Sequence, residues 1–422
     1  MWSLVVFLGL VSRGLTQEVL ENADMESMTG WFCRRASCSL TDTKHGGNHA
    51  ILASQRTSLK RGPAQRITVE LGKAYTISAW VKLVNDQPGK LSQSFRMSVL
   101  QKFEDKSRKR YHVASNKRIT VADGWVQLKG FVLFAERSAA IKTTEFYING
   151  PSESVDFITD DASVQPLAEW TNWLQDSNDN INQLRKSSIN IQVSAAGNVD
   201  KSAVEISIKQ LKKSFPFGTA IGCDMYHHGD VNYQNFINDH FNWAVTENAL
   251  KWNLMEKVQG QPRYDRVINA LEKLKQNGIK TRGHNILWAT GGHVPSWVLP
   301  LWGDELRAVV DTRITNVVTK TKELLDHWDV NNENLHGAFY EDHTNDINYD
   351  LEIFKKAHDT APDVKMFLND YAVVRDSGDM TGAYLTQALR YKKEGVGLYG
   401  MGAQSHFNGG SMPSPTIIKV CY

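Results

Sequence analysis

Cysteine is scarce in this 422-residue sequence. Only Cys33, Cys38, Cys223 and Cys421 occur, and no spacing among them resembles a zinc site. His227-His228 lacks the helical i,i+4 partner of a metal pair and reads as a loop pair, so no metal is expected. An excess of one charge is also missing. The 48 basic and 46 acidic side chains leave +2, and no nucleic-acid motif occurs, which argues against a nucleic-acid partner. Beyond the first residues no apolar run approaches membrane length, so no membrane span is expected. With 41% apolar and 22% charged residues, the composition excludes a disordered or collagen-like chain.

Aromatic residues are plentiful, 12 Trp and 13 Tyr among them. They suit sugar binding, and large cores use them too. The length suggests two or three domains. Charge divides the chain. Residues 18–165 hold 21 basic and 16 acidic groups, whereas residues 166–422 hold 26 and 30. The apolar start Met1–Val11 is too short to span a bilayer and fits a signal-peptide core, with Ser12, Gly14 and Thr16 near a cleavage point. A signal peptide over residues 1–16 and a secreted, extracellular, monomeric product are expected. In such a compartment Cys33 and Cys38 close a small disulfide loop. Cys223 reads as a buried thiol.

Residues 17–165 alternate with period two. Tyr75, Ile77, Ala79, Val81 and Leu83 share one face, with Thr76, Ser78, Trp80 and Lys82 on the other. Arg66–Leu71, Trp125–Gly130 and Thr144–Asn149 do the same, with Gly, Asn, Asp and Pro between. This pattern predicts an antiparallel β-sandwich. Phe146 and Ile148 point inward, leaving Glu145, Tyr147 and Asn149 on a solvated face. An aromatic ring beside polar groups is what a sugar platform needs, so Tyr147, Asn149 and Trp80 are candidate sugar contacts. Trp125 reads as core. The basic run Lys106–Arg110 reads as a solvated loop.

Residues 166–215 read as a collar: a polar helix over Ala168–Lys186, then a hairpin of Ser188–Ala195 and Ala203–Leu211 around Ala196-Gly197-Asn198. From residue 216 short apolar strands alternate with helices. Strands are expected at Phe217–Gly222, Trp243–Thr246, Ile279–Leu287, His327–Val330, Val364–Leu368 and Leu398–Ala403. Helices fall at Asp265–Gln276, Glu305–Leu325 and Leu351–Thr360, with Gly278 capping the first. Repeated βα units predict a parallel sheet, open or closed as a barrel. Each strand ends in polar residues a core would not choose: Glu247 and Asn248, His284 and Asn285, Asn332 and Glu333, Asn369 and Asp370, Gln404 and His406. Lys251 and Trp288 follow within a turn. In a βα barrel these ends meet at one rim, where chemistry collects.

The motifs Leu20–Glu26, Tyr75–Leu83, Gly124–Leu128, Phe146–Pro151, Val155–Phe157 and Asp160-Asp161 together resemble carbohydrate-binding modules of the family 4, 9 and 22 kind. The resemblance implies a β-jelly-roll holding β-glucan or xylan. Xylan-binding members use a Tyr and a Glu two positions on. Tyr147 fits, and Asn149 stands in place of the Glu. Phe215–Ala220, Thr246–Trp252, Glu256, Gly283–Trp288, Trp328–Glu333, Leu368–Tyr371 and Gly402–His406 are similar to glycoside hydrolase family 10, the retaining β-1,4-xylanases. That resemblance implies a (β/α)8 barrel with Glu333 as general acid/base and Asn332 on the sugar 2-hydroxyl. It places Asn248, Lys251, His284 and Trp288 at non-reducing-side subsites, and has Gln404 and His406 hold the nucleophile. Glu247 and Asn369 join the substrate-binding set.

Departures are visible. Asn331 replaces a usual apolar residue, and Ala289–His293 alters the loop after Trp288. The family's nucleophile is a Glu ending a seventh strand, whereas no Asp or Glu follows Glu394 in this sequence. A barrel of about six βα units, lacking that nucleophile, is therefore expected. The expected function is endo-cleavage of β-1,4-xylan-type chains with retention, without metal or cofactor. The alternative is a non-catalytic, lectin-like glycan binder.

Overall fold

The computed structural model describes residues 17–194, 197, 200–210, 214–375, 378–407 and 412–421. The signal-peptide segment therefore lies outside the described residues.

Ten strands build the first unit. They are β1 (Trp31–Cys33), β2 (Ser37–Thr41), β3 (Ala50–Ser54), β4 (Pro63–Ile67) and β5 (Ala74–Leu83). Then follow β6 (Gln93–Phe103), β7 (Arg108–Ile119), β8 (Val126–Leu133), β9 (Ile141–Asn149) and β10 (Phe157–Pro166). They form two five-stranded sheets, ordered β1-β4-β9-β6-β7 and β2-β3-β10-β5-β8. All of their pairings are antiparallel. Alternation does this work. In β5, Ile77, Ala79 and Val81 are fully buried, in one core with Phe157 of the adjacent β10 and with Phe95, Val99 and Phe146 of the opposite sheet. The expected sandwich is present, and Cys33 is bonded to Cys38.

The collar differs from expectation. A helix, α1 (Trp173–Arg185), forms, but residues 186–194 and 204–210 hold no strand. The hairpin's apolar face explains this. Ile189, Ile191, Val204, Ile206 and Ile208 are exposed, and without a layer to cover them alternation alone does not hold a ladder. Ala195, Ala196, Asn198 and Leu211 lie outside the described residues.

The second unit is a six-stranded parallel sheet in sequential order: β11 (Gly218–Ile221), β12 (Trp243–Thr246), β13 (Lys280–Trp288), β14 (His327–Asn332), β15 (Lys365–Asp370) and β16 (Leu398–Ala403). Around it run α2 (Cys223–His227), α3 (Val231–His240), α4 (Trp252–Met255), α5 (Asp265–Gln276) and α6 (Gly303–Thr321). These are followed by α7 (Phe339–Thr344), α8 (Tyr349–Thr360), α9 (Asp379–Lys393) and α10 (Pro415–Cys421). Helix α5 shows why they form. Val267, Ala270, Leu271 and Leu274 make one buried stripe, Asp265 sits in the first turn, and Lys273 and Lys275 in the last. Gly278 ends it at φ +72°, where a side chain would be strained. Cys223 is a buried thiol, and burial pushes its pKa up to about 12.

The two units touch closely. Gly378 N donates to Phe131 O, and a Cβ on Gly382 would lie 2.1 Å from Lys129 O, so α9 meets β8 only because glycine stands there. Ile417 of α10 packs with Ala74 and Phe131. Among the described residues no helix is long and apolar enough to cross a membrane.

Candidate active site

All six strands run the same way, so their C-terminal ends share one edge. Glu333 directly follows β14. Its backbone sits at φ +57°, a left-handed conformation that costs a non-glycine residue and often marks functional positions. Its neighbours hold it there. Glu333 N donates to Asn369 O at 2.9 Å, while His336 N and Gly337 N donate to Glu333 O. The carboxylate takes one bond from Trp288 Nε1 at 2.9 Å and one from Gln404 Nε2 at 3.1 Å. Residues from β13, β14 and β16 thus converge on one carboxyl group.

Around it, Asn369 Nδ2 donates to Asn332 Oδ1 at 2.8 Å, and Lys251 Nζ donates to Asn248 Oδ1 at 2.8 Å. Lys251 also lies 5.2 Å from the centre of the Trp288 ring. Burial lowers its pKa, opposed by the charges of Glu247 and Glu333. The other face of the site is braced by Asp370, which accepts from Leu335 N at 2.8 Å and bonds His336 Nδ1 at 2.6 Å. Glu247 is exposed beside Lys251, and His406 is exposed as well. Of the expected set, the structure brings Asn248, Lys251, Trp288, Asn332, Glu333, Asn369 and Gln404 together. Gln404, expected to hold a nucleophile, bonds Glu333 instead.

Asp329 and Arg118 escaped sequence reading, and the departures at His293 and Asn331 gain a setting. Asp329 is fully buried on β14 and accepts from Arg282 and, at 2.8 Å, from His284 Nδ1. Burial alone would raise its pKa, but Arg282 and His284 outweigh it and hold Asp329 below its ordinary 3.8. An Asp set between Trp328 and Val330 in the middle of a buried strand was the available signal. His293 stacks on Trp288 at 3.7 Å, inside the loop that departs from the family pattern. Arg118, from the sandwich, reaches across to the turn after Glu333 and donates to Asn334 O at 3.0 Å and Gly337 O at 2.9 Å. Asn331 is buried with both amide atoms unpaired among the described residues.

Asp329→Asn removes the countercharge of a half-buried Arg282 and is expected to cost about 3 kcal/mol of stability by urea unfolding. Because the folded pKa is depressed, Asp329's contribution is present above its unfolded value. It disappears as pH falls through the folded value. The gap between wild type and variant should therefore narrow only in acid below about pH 4.

The sandwich candidates fare less well. Tyr147 is 3% exposed, packed with Ala64 and Leu100, and covered by the Arg34 guanidinium at 5.4 Å. It is no open platform. Trp80 stacks on His45 at 3.9 Å and belongs to the other sheet, so Trp80 and Tyr147 do not share a site. Asn149 is half-buried opposite Arg96. Trp125 is half-buried against His45 rather than in the core. The basic run is not all loop either, since Arg108–Arg110 open β7.

The sequence model of glycosyl hydrolase family 10 matches residues 207–420. The chain belongs to glycosyl hydrolase family 10. A carbohydrate-binding domain model covers residues 17–155 of this family 10 chain. Among its curated relatives is endo-1,4-beta-xylanase 1 of Arabidopsis thaliana, 29% identical over 364 residues, covering 85% of this chain and 37% of the relative. Endo-1,4-beta-xylanase 3 of the same plant is 29% identical, covering 89% and 49%. Anti-sigma-I factor RsgI6 of Acetivibrio thermocellus is 35% identical, covering 56% and 30%. The chain thus spans 30% to 49% of the length of these relatives. A solved structure of Clostridium thermocellum endo-1,4-beta-D-xylanase 10B modules with xylohexaose aligns at TM-score 0.40 and 18% identity, covering 93% of this chain and 77% of that one.

Proposed function

We propose that this protein is a secreted hydrolase that cuts β-1,4-xylan-type chains internally with retention, Glu333 serving as acid/base. Residues 17–165 form its binding unit, 166–215 the connecting segment and 216–422 the catalytic unit. The monomeric state and the leader over residues 1–16 belong to the same proposal. One observation carries the reading. A single carboxyl group at the strand-end edge is held by Trp288 Nε1 and Gln404 Nε2, with amides and a lysine around it. Such a group can hand its proton to a glycosidic oxygen and later take one from water. The amides of Asn332 and Asn369 supply groups able to bond sugar hydroxyls beside Glu333.

Retention needs a second carboxyl group roughly 5–5.5 Å away to attack the anomeric carbon. Two other nearby acids are committed, Asp370 to Leu335 and His336, Asp329 to Arg282 and His284, while Glu247 stands exposed beside Lys251. This favours a second reading, glycan binding without turnover. Incubating the full-length protein with xylan and with mixed β-glucan separates the two. Release of reducing ends from xylan, appearing first as the β-anomer by NMR, is the expected result. Binding without release establishes the second reading.

A further inference from the structure

The sheet that carries Tyr147 turns one face outward. Cross-strand partners share a face, so the register identifies its members. Tyr147 pairs with Ala64 and Ser98, Glu145 with Arg66 and Leu100, and Thr143 with Lys102. On β7, Arg108 lies opposite Lys102, and Arg110 opposite Leu100. Arg96, opposite Asn149, completes the row on β6, and Arg34 arrives from the disulfide loop. The strands and that loop therefore present six cations: Arg34, Arg66, Arg96, Lys102, Arg108 and Arg110. Glu145 is the only carboxylate the strands place among them, and it is already paired with Arg34 at 2.8 Å. Among the described residues the other five have no carboxylate within ion-pair distance. Arg66, Arg108 and Arg110 are exposed.

The field of this row is felt by its own histidine. His112 is pushed down to about 4, first by burial, then by Arg96, Arg110 and Lys60. The row also leads somewhere. Further along β7, Lys117 Nζ donates to Leu335 O at 3.1 Å, two residues past Glu333, and it feels the charges of Asp370 and Asp379. A cationic strip thus runs along β7 and its neighbours from Arg108 toward the turn after Glu333.

We propose that this face binds an anionic polysaccharide, a xylan chain bearing uronic-acid carboxylates, rather than neutral xylan stacked on Tyr147. The inference deepens the proposed function and rests on its reading of the substrate backbone. Charge complementarity selects the occupant. Unpaired guanidinium groups offer forked donors that match carboxylates, whereas the ring a neutral sugar would need is buried. A nucleic acid is the weaker match, because the catalytic half of the chain carries more acidic than basic groups and would repel a long polyphosphate.

The experiment measures binding of the full-length protein to glucuronoxylan and to the same polymer after its carboxyl groups are reduced to alcohols. Wild type is expected to hold glucuronoxylan about fivefold more tightly, a few exposed ion pairs' worth. That preference should vanish near 1 M salt, where the Debye length is about 3 Å. Arg108→Gln with Arg110→Gln should remove most of the preference and leave binding to the reduced polymer and the melting temperature unchanged. Equal wild-type affinity for the two polymers would overturn the inference while leaving the proposed function intact. So would binding of heparin or RNA as tight as that of glucuronoxylan, the mark of an unselective polyanion patch. Failure to bind either xylan also sinks it. Reducing ends released from neutral xylan in parallel then show whether the hydrolase reading survives.

Discussion

Glu333→Gln is expected to slow xylan hydrolysis by the full-length protein about 10²- to 10⁴-fold, the usual worth of a positioned proton donor. The substitution keeps shape and size, and the amide oxygen can still accept from Trp288 or Gln404. Binding of xylo-oligosaccharides should therefore change little. The diagnostic lies in the leaving group. A xyloside whose leaving group departs unaided does not need the proton, so its first step should be almost untouched by the variant. Retention passes through an ester on a second carboxylate that none of the described residues supplies, so in the protein that carries it this ester should accumulate in the variant, and azide, which needs no general base, should release it as a β-glycosyl azide. Equal loss on both substrates, with no rescue by azide, would mean that Glu333 supports the site's shape rather than moving a proton.

The rim was legible because strand ends in a parallel sheet are the one place where polar residues can gather without desolvation cost. Strands such as Trp243–Thr246 and Leu398–Ala403 were read at their true limits, since short apolar runs between helical stripes have few alternatives. What the sequence hid was tertiary. The Ile189–Val193 alternation has the period of a strand, yet finds no surface to pack on. Tyr147 alternates outward but is roofed by Arg34, a residue more than a hundred positions away. Arg108–Arg110 looked like solvated loop because charge runs usually are, and only the register with Lys102 and Leu100 shows the strand. The partners of Arg118 are likewise invisible in one dimension, because they come from the other unit.

That contact sets the second large effect. Arg118 is 16% exposed at its side chain and bonds Glu341 at 3.1 Å and Asp350 at 2.7 Å, which are 2% and 0% exposed. Asp350 keeps Arg390 at 2.9 Å and the Tyr391 hydroxyl, whereas Glu341 keeps only Asn334 Nδ2 at 3.0 Å. Arg118→Met therefore strands a buried carboxylate and two carbonyls, Asn334 O and Gly337 O. The expected cost is about 3–5 kcal/mol, or a fall in melting temperature on the order of 6–15 °C by calorimetry. Burial already pushes Glu341 above the ordinary carboxylate range, with Arg118 pulling it back. Without that pull the folded protein favours the protonated acid, so the deficit should shrink as pH falls toward the carboxylate range. A second change, Glu341→Met, should recover most of the loss, since an apolar pair replaces an ion pair at little cost. Because the stranded carbonyls belong to the turn that follows Glu333, amide exchange across residues 334–337 should quicken in the single variant. A loss under about 1 kcal/mol with unchanged exchange would show that Arg118 is a surface ion pair and that the sandwich does not brace the turn after Glu333.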